Sequence, residues 1–278
     1  MVGATPVLVD IDPVTFGIDV TKIEGVITPK TKAIIPVHLY GQPVDLDEVK
    51  AIADKYGLKV VEDACQAVAA EYKGKKTGNL GDLGCFSLYA TKNIMSGEGG
   101  VVTTNDEAYA TKLKQFRQHG MSASYVYEEL GFNYRLTDLQ ATIAIEQLKK
   151  IERFTTARQS NAEQLSEGLK SIPGIVIPEI AEDRTHVFHQ YTIRVTPELG
   201  ISRDDFVKAL QDKEVGANVY YPRALHTFPH IAKFGYKVGD FPEAEKAASE
   251  VVSLPVHPAV SKSDIETIIS AVKEVSRA

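Results

Sequence analysis

Lys92 is the side chain of this sequence whose setting best suits covalent chemistry. It lies in CFSLYATKN (residues 85–93), before the flexible run GEGG (residues 97–100), and the acidic pair Glu62 and Asp63 follows an apolar segment upstream. An enzyme that uses pyridoxal phosphate (PLP) needs an amine for the aldehyde, a carboxylate that keeps the ring nitrogen protonated, and closely approaching backbone. The sequence offers all three, so we predict that Lys92 is a Schiff-base lysine and that the acidic pair supplies its pyridinium partner.

The position of Lys92 sets it apart from the other basic side chains. Most of the 31 Lys and Arg residues are expected to be merely solvated. Residues 85–90, however, form a short apolar run rich in aromatic side chains and preceded by Gly84, a pattern that predicts a buried strand. Lys92 would then follow the end of a strand, and ligands of open α/β sheets bind beyond the carboxyl ends of the strands.

A β-α-β unit is predicted ahead of the acidic pair. Its elements are a strand over residues 33–37, a helix that begins at a capping box of Asp45 and Glu48 and stops at Gly57, and a strand over residues 58–61. A right-handed crossover makes the two strands parallel and places Asp63 at the carboxyl edge of the second one. We therefore expect Asp63 and Lys92 to share one rim of the sheet.

Five ordered motifs make nearly the whole chain resemble a known family. They are PVHLYG (residues 36–41), VEDACQA (61–67), FSLYATK (86–92), GEGG (97–100) and GFNYRLTDLQ (131–140). The chain resembles the DegT/DnrJ/EryC1/StrS family of sugar aminotransferases, which are PLP enzymes of the aspartate aminotransferase fold (fold type I). The resemblance implies amino transfer, commonly from glutamate, to a ketohexose linked to a nucleotide.

The resemblance also assigns roles to individual residues. It implies that Lys92 forms the Schiff base, Asp63 pairs with the pyridine nitrogen, Gln66 meets the ring hydroxyl side and Ser87 holds the phosphate. Asn133 would reach the phosphate of a neighbouring subunit, which makes a homodimer the expected assembly. The motif PVHLYG leaves two interpretations open, since His38 to Gly41 either face the cofactor or form a packed strand end.

The segment YYPR (residues 220–223) matches the family region that approaches the nucleotide sugar. Tyr221 and Arg223 are therefore the candidate substrate-binding residues, with Arg223 suited to a diphosphate. A related branch of the family has histidine at the lysine position and removes oxygen instead of transferring nitrogen. Lys92 favours amino transfer, and a PLP-dependent sugar dehydratase is the alternative within the enzyme class.

The expected fold is α/β with two domains. The resemblance implies a three-layer PLP-transferase large domain with a mixed, mostly parallel sheet over residues 1–150, and a smaller α+β C-terminal domain over residues 151–278. Apolar residues at helical spacing predict one long bridging helix over residues 136–169. Strands near Val176 and over residues 189–195 and 217–220 are predicted for the smaller domain.

The opening residues match the middle of a full member's large domain, so we expect the large domain to be incomplete at its N-terminus. In the family, the preceding segment supplies a helix whose amino end binds the phosphate and an aromatic side chain that stacks on the ring. Residues 6–11 are then expected to leave an unpaired edge or an apolar patch. The alternative function is a noncatalytic member that acts as a binding or dimerising protein.

Composition argues against several other classes. The net charge is −6 with no long basic run, which argues against nucleic acid as the partner, and no apolar stretch approaches the length of a membrane helix. We expect a cytoplasmic protein. Cys65 and Cys85 are predicted to pack in the core. No metal site is predicted, because His186 and His189 would point to opposite faces of a strand.

Overall fold

Two regions follow each other along residues 3–277, the part of the chain that the computed structural model describes. The first region contains β1 (Ala33–Ile34), α1 (Leu46–Tyr56), β2 (Lys59–Asp63), β3 (Glu71–Tyr72), β4 (Lys75–Lys76), β5 (Leu83–Ser87), β6 (Gly100–Thr103), α2 (Glu107–Phe116), β7 (Met121–Ala123), β8 (Val126–Tyr127) and α3 (Asp138–Leu148). The second contains α4 (Ile151–Leu169), β9 (Ile175–Val176), β10 (Tyr191–Val195), α5 (Arg203–Gln211), α6 (Pro229–Ala232), α7 (Pro242–Glu250), β11 (Val251–Leu254) and α8 (Lys262–Val275).

A four-stranded sheet in the order β1-β2-β5-β6 organises the first region. The pairs β1-β2 and β2-β5 are parallel, whereas β6 runs antiparallel to β5. Asp63 lies opposite Cys85 in the register of β2 and β5, so the carboxyl ends of these two strands meet at one edge of the sheet. This arrangement confirms the predicted α/β fold with a mixed, mostly parallel sheet.

Helix α1 covers one face of this sheet. It buries Val49 and Ala53, four residues apart on one helix face, and Gly57 ends it in the left-handed conformation at φ 64°. The predicted capping box is wrong, because Asp45 makes no side-chain bond to the first turn. Its carboxylate instead accepts a hydrogen bond from the guanidinium of Arg184, a residue far along the chain that sequence spacing does not reveal.

The second region has its own sheet and core. Strands β11-β10-β9 form an antiparallel sheet, and a continuous apolar cluster between this sheet and the helices includes Leu165, Ile193, Phe206 and Val272. A capping box of Ser261 and Asp264 begins α8. The predicted domain limits, residues 1–150 and 151–278, stay a prediction, and the separate core supports them.

The predicted single helix over residues 136–169 is wrong. The chain forms α3 and α4, which are separated where Lys150 leaves the helical conformation at φ −106° and ψ 0°. Neither Gly nor Pro occurs at this break, so no local sequence signal marks it. Helix α4 packs against α8, where the absent side chain of Gly168 lets Ile269 approach.

Strand β1 covers only Ala33–Ile34 of the predicted residues 33–37, and two predicted strands of the second region are also shorter than expected. Residues 217–220 contribute only a single bridge from Asn218 to Ser253, and β10 begins at Tyr191 instead of residue 189. The segment with His186 and His189 is therefore irregular, and the expectation that the two side chains alternate across a strand is wrong. Both residues lie against the first region, as described below.

Residues 6–11 do not form the unpaired edge that the sequence predicts. The backbone N–H of Leu8 donates to the hydroxyl of Tyr236 at 2.9 Å. The buried carboxylate of Asp10 accepts from the backbone N–H groups of Glu243 and Ala244, at 3.2 and 3.0 Å, and so caps α7. This segment joins the two regions.

Two absences apply to residues 3–277. No helix there has the length and apolar character needed to cross a membrane. Nor do three or more His, Cys, Asp or Glu side chains of these residues converge as a metal site would require.

Candidate active site

Asp63 and Lys92 lie at the same edge of the four-stranded sheet. Asp63 is the last residue of β2, and Lys92 lies in the loop between β5 and β6, where its backbone N–H donates to the carbonyl of Tyr89 at 3.0 Å. One carboxylate oxygen of Asp63 accepts from the N–H of Cys65 at 3.1 Å. Both side chains are half-buried, and neither forms an ion pair within residues 3–277.

The Cys65 thiol indicates how close the two charged groups are. Burial first, and then the hydrogen bond and negative charge of Asp63, raise its pKa to about 12, whereas the positive charge of Lys92 opposes this rise. The thiol therefore lies within the electrostatic reach of both groups. Cys65 and Cys85 are both half-buried and reduced, which is less burial than the predicted core packing implies.

Glu62 lies on the opposite face of β2 from Asp63 and is fully buried. Its carboxylate accepts from Nε2 of His38 at 3.1 Å and from three backbone N–H groups of the loop at residues 78–81, at 2.6 to 2.8 Å. Burial alone would raise the pKa of Glu62, but these hydrogen bonds outweigh it and lower that pKa. His38 is thus a packed residue, which decides the open interpretation of PVHLYG for this side chain.

Gln66 connects the sheet edge to the second region. Its side-chain oxygen accepts from the backbone N–H of Tyr40 at 2.6 Å, and its amide nitrogen donates to the hydroxyl of Tyr221 at 3.1 Å. The hydroxyl of Tyr40 in turn donates to the carbonyl of Tyr220. The bond from Gln66 therefore brings Tyr221 to the predicted cofactor residues. Tyr40 holds Gln66 through its backbone N–H and Tyr220 through its hydroxyl.

The other predicted site residues are Ser87, Asn133 and Arg223. Ser87 ends β5 at the same edge as Asp63, and its hydroxyl accepts from the N–H of Tyr89 at 3.2 Å. Asn133 is exposed. Arg223 is also exposed and lines a cavity of about 410 Å³ whose lining includes neither Asp63 nor Lys92.

Asn93 and His189 are site residues that the sequence did not single out. The Asn93 amide is buried, and its oxygen lies 3.3 Å from Nδ1 of His189. Burial lowers the pKa of His189 to about 3, and the positive charges of Lys92 and Arg158 lower it as well. The only sequence signal for a role of Asn93 was its position directly after Lys92. Its partner His189 is 96 residues away, so sequence spacing could not reveal the pair.

Comparison with known proteins identifies the family of this chain. A model of the DegT/DnrJ/EryC1/StrS aminotransferase family matches residues 1–273. GDP-perosamine synthase of Caulobacter vibrioides is 40% identical over 277 residues, which cover 98% of this chain and 74% of that protein.

Two solved structures are similar over almost the whole chain. S. venezuelae DesV in complex with a ketimine intermediate matches with a TM-score of 0.95 and 35% identity, covering 99% of this chain and 73% of the DesV chain. DesI in the presence of its TDP-sugar product matches with a TM-score of 0.91 and 27% identity, covering 99% and 70%. The chain belongs to the DegT/DnrJ/EryC1/StrS aminotransferase family.

Proposed function

We propose that this protein is a PLP-dependent aminotransferase that moves an amino group from an amino acid to a nucleotide-linked keto-sugar. The observation that carries the proposal is the juxtaposition of Asp63 and Lys92 at one sheet edge. Both are half-buried, neither has an ion-pair partner within residues 3–277, and both act on the Cys65 thiol. An amine and a carboxylate that form no ion pair within residues 3–277 fit the two ends of the PLP ring.

Each side chain then has a definite task. Bound PLP supplies a protonated ring that withdraws electrons from the α-carbon of the amino donor. The carboxylate of Asp63 stabilises the proton on the ring nitrogen, because an adjacent negative charge favours the cationic form. Lys92 would hold the aldehyde of the cofactor through Nζ, and the same amine would serve as the general base toward the α-proton of the amino donor.

Three further residues are proposed to hold the cofactor. Gln66 faces the ring hydroxyl side, and its bonds to Tyr40 and Tyr221 fix its orientation. Ser87 is placed at the end of β5 for the phosphate. Asn133 is exposed, which agrees with a role toward the phosphate of a second subunit.

Substrate roles for Tyr221 and Arg223 follow from their surroundings. The hydroxyl of Tyr221 already contacts Gln66 at the sheet edge, so a molecule bound there would meet this side chain. Arg223 offers an exposed guanidinium two residues further along, stacked over the ring of Phe228 at 5.5 Å, and is proposed to pair with the diphosphate of the sugar nucleotide. The expected donor is glutamate.

A homodimer is proposed because the first region has many exposed apolar side chains. They include Val101, Val102, Phe116, Tyr127, Leu130, Phe132, Leu139, Ile145 and Leu148. Exposed apolar side chains in such number commonly mark an interaction site. Asn133 is exposed within the same stretch of sequence, which agrees with its proposed role toward a second copy. The cytoplasmic location expected from the sequence stays a prediction.

Cofactor binding is the first test. The purified chain is expected to turn yellow with PLP, and reduction with borohydride should fix a pyridoxyl group that peptide mass spectrometry assigns to Lys92. Lys92→Ala should bind no reducible cofactor. The control Lys262→Ala, which changes an exposed lysine on α8, should behave as wild type. A wild-type chain that takes up no PLP even at high concentration refutes the proposal.

Catalysis and assembly are tested with the loaded protein. Glutamate and a keto-sugar nucleotide should yield an amino sugar and 2-oxoglutarate, whereas loss of oxygen without gain of nitrogen would identify a dehydratase. Mixed dimers of Lys92→Ala and Asn133→Ala carry one site with both native residues. Random exchange of these inactive subunits should restore about a quarter of wild-type activity. No recovery in mixed dimers argues against a trans role for Asn133.

A further inference from the structure

A segment of the second region passes directly beside the Lys92 loop. The buried amide nitrogen of Asn93 donates to the carbonyl of Val187 at 3.1 Å. From the other side, Arg158 on α4 donates through one guanidinium nitrogen to the carbonyls of Phe188 and His189, at 2.9 and 3.3 Å. The backbone that carries His189 is therefore held between the Lys92 loop and α4.

These contacts fix the tautomer of His189. A backbone carbonyl only accepts hydrogen bonds, so the amide nitrogen of Asn93 must face Val187 and its oxygen must face His189. That oxygen also only accepts, so Nδ1 of His189 carries the ring hydrogen. Because the pKa of His189 is lowered to about 3, first by burial and then by the charges of Lys92 and Arg158, the ring is neutral at pH 7 and Nε2 has a lone pair.

The Nε2 atom is a hydrogen-bond acceptor near the Lys92 loop. It makes no hydrogen bond to another residue of the range 3–277, and Nζ of Lys92 makes no ion pair within that range. The contact of Nδ1 with the Asn93 oxygen at 3.3 Å places the imidazole against the residue that follows Lys92, and the charge of Lys92 reaches the ring. Asn93 thus orients the acceptor in advance, in the loop that carries the amine.

We propose that His189 is a positioning residue whose Nε2 accepts a hydrogen bond from the Lys92 amine, with Asn93 fixing the tautomer. The functional part of this inference rests on the proposed aminotransferase activity. When Nζ takes the proton from the donor's α-carbon, it becomes an ammonium group with one more N–H to place. Nε2 accepts that N–H without removing the proton, so the proton stays on Nζ for delivery in the next step.

Two substitutions separate this role from packing. His189→Asn retains an amide donor in place of Nδ1 for Asn93 but has no atom at the position of Nε2. His189→Gln extends an amide oxygen to the position of Nε2 and so restores an acceptor. With the holoenzyme, His189→Asn should lower kcat on the order of tenfold to a hundredfold, the loss expected for a hydrogen bond to a charged group. His189→Gln should recover most of it, with the KM for glutamate unchanged in both.

A second measurement needs no cofactor. In the full chain labelled with ¹⁵N-histidine, His189 should show a protonated Nδ1 and an unprotonated Nε2 at pH 7, and His189→Asn assigns its signals. Lys92→Met removes the amine and should move the Nε2 resonance downfield. A protonated Nε2, an unchanged Nε2 signal in Lys92→Met, or equal losses of kcat in His189→Asn and His189→Gln would each overturn the inference. A chain that shows the NMR signature but binds no PLP refutes only the proposed function.

Discussion

Replacing Glu62 by glutamine tests how the interior supports the sheet edge at Asp63. Each carboxylate oxygen of Glu62 accepts two hydrogen bonds, one pair from His38 and Gly78 and the other from Leu80 and Gly81. Glutamine keeps the shape but has one oxygen and one NH2 group. In either orientation of the amide, two buried N–H donors face hydrogen atoms instead of an acceptor.

The expected loss in the free energy of unfolding follows from the two N–H donors that are left without an acceptor. A buried donor without a partner costs about 1–3 kcal/mol, so Glu62→Gln should lose about 2–6 kcal/mol of the free energy of unfolding. His38 cannot relieve the loss by changing tautomer, because its Nδ1 must accept from the N–H of Val44 at 3.3 Å and Nε2 therefore carries the hydrogen. A loss of this size is a large share of the 5–15 kcal/mol typical of whole proteins.

Urea unfolding at several pH values is the assay. The lowered pKa of Glu62 means that its carboxylate stabilises the fold above the unfolded-state pKa of about 4.3, and that this contribution disappears as the pH falls through the lower folded-state value. The gap between wild type and Glu62→Gln should therefore be full at pH 7 and shrink below about pH 4. The control Glu48→Gln, at an exposed position, should match wild type. A Glu62→Gln protein within about 1 kcal/mol of wild type at pH 7 would refute the reasoning.

Three other expectations concern packing, capping and reactivity. Gly168→Ala would put a Cβ 2.4 Å from Cδ1 of Ile269 and should cost about 1–3 kcal/mol in urea unfolding, with partial recovery on adding Ile269→Ala; an undiminished stability would contradict the tight α4-α8 contact. Asp10→Ala should cost about 1–2 kcal/mol in thermal unfolding because it uncaps α7, whereas Asp10→Asn keeps an acceptor and should cost less. Cys65 should react with a disulfide reagent at pH 8 at least about tenfold more slowly than an exposed cysteine, since its raised pKa leaves little thiolate; labelling as fast as after denaturation would show otherwise.

The sequence predicted the parts of the site that depend on strand ends. The acidic pair follows an apolar run and Lys92 follows another, and parallel strands bring their carboxyl ends to one edge. The structure has Asp63 at the end of β2 as predicted, whereas β5 ends at Ser87 instead of residue 90, so that Lys92 lies five residues beyond the strand in the following loop. Apolar patterns and the glycines that bound them were enough to predict these positions, because each residue lies within a few residues of the strand that positions it.

Contacts between distant segments could not be predicted in this way. Asp45 has the spacing of a helix cap, yet its carboxylate bonds to Arg184, 139 residues away, and the bond from Gln66 to Tyr221 joins residues 155 apart. The break between α3 and α4 likewise has no local sequence signal that could have predicted it. Local propensity is a weak preference that a tertiary contact overrides when the contact is buried or charged.

The distribution of these contacts implies that the second region governs the geometry of the site. Lys92 and Asp63 come from the first region, but several groups that restrain their neighbours, among them Arg158, His189 and Tyr221, come from the second. A small rotation of one region against the other would therefore move the acceptor for Nζ and the partner of Gln66 together, while the strand-borne carboxylate stayed in place. Substitutions at this contact should accordingly change catalytic rate and substrate affinity before they change the stability of either core.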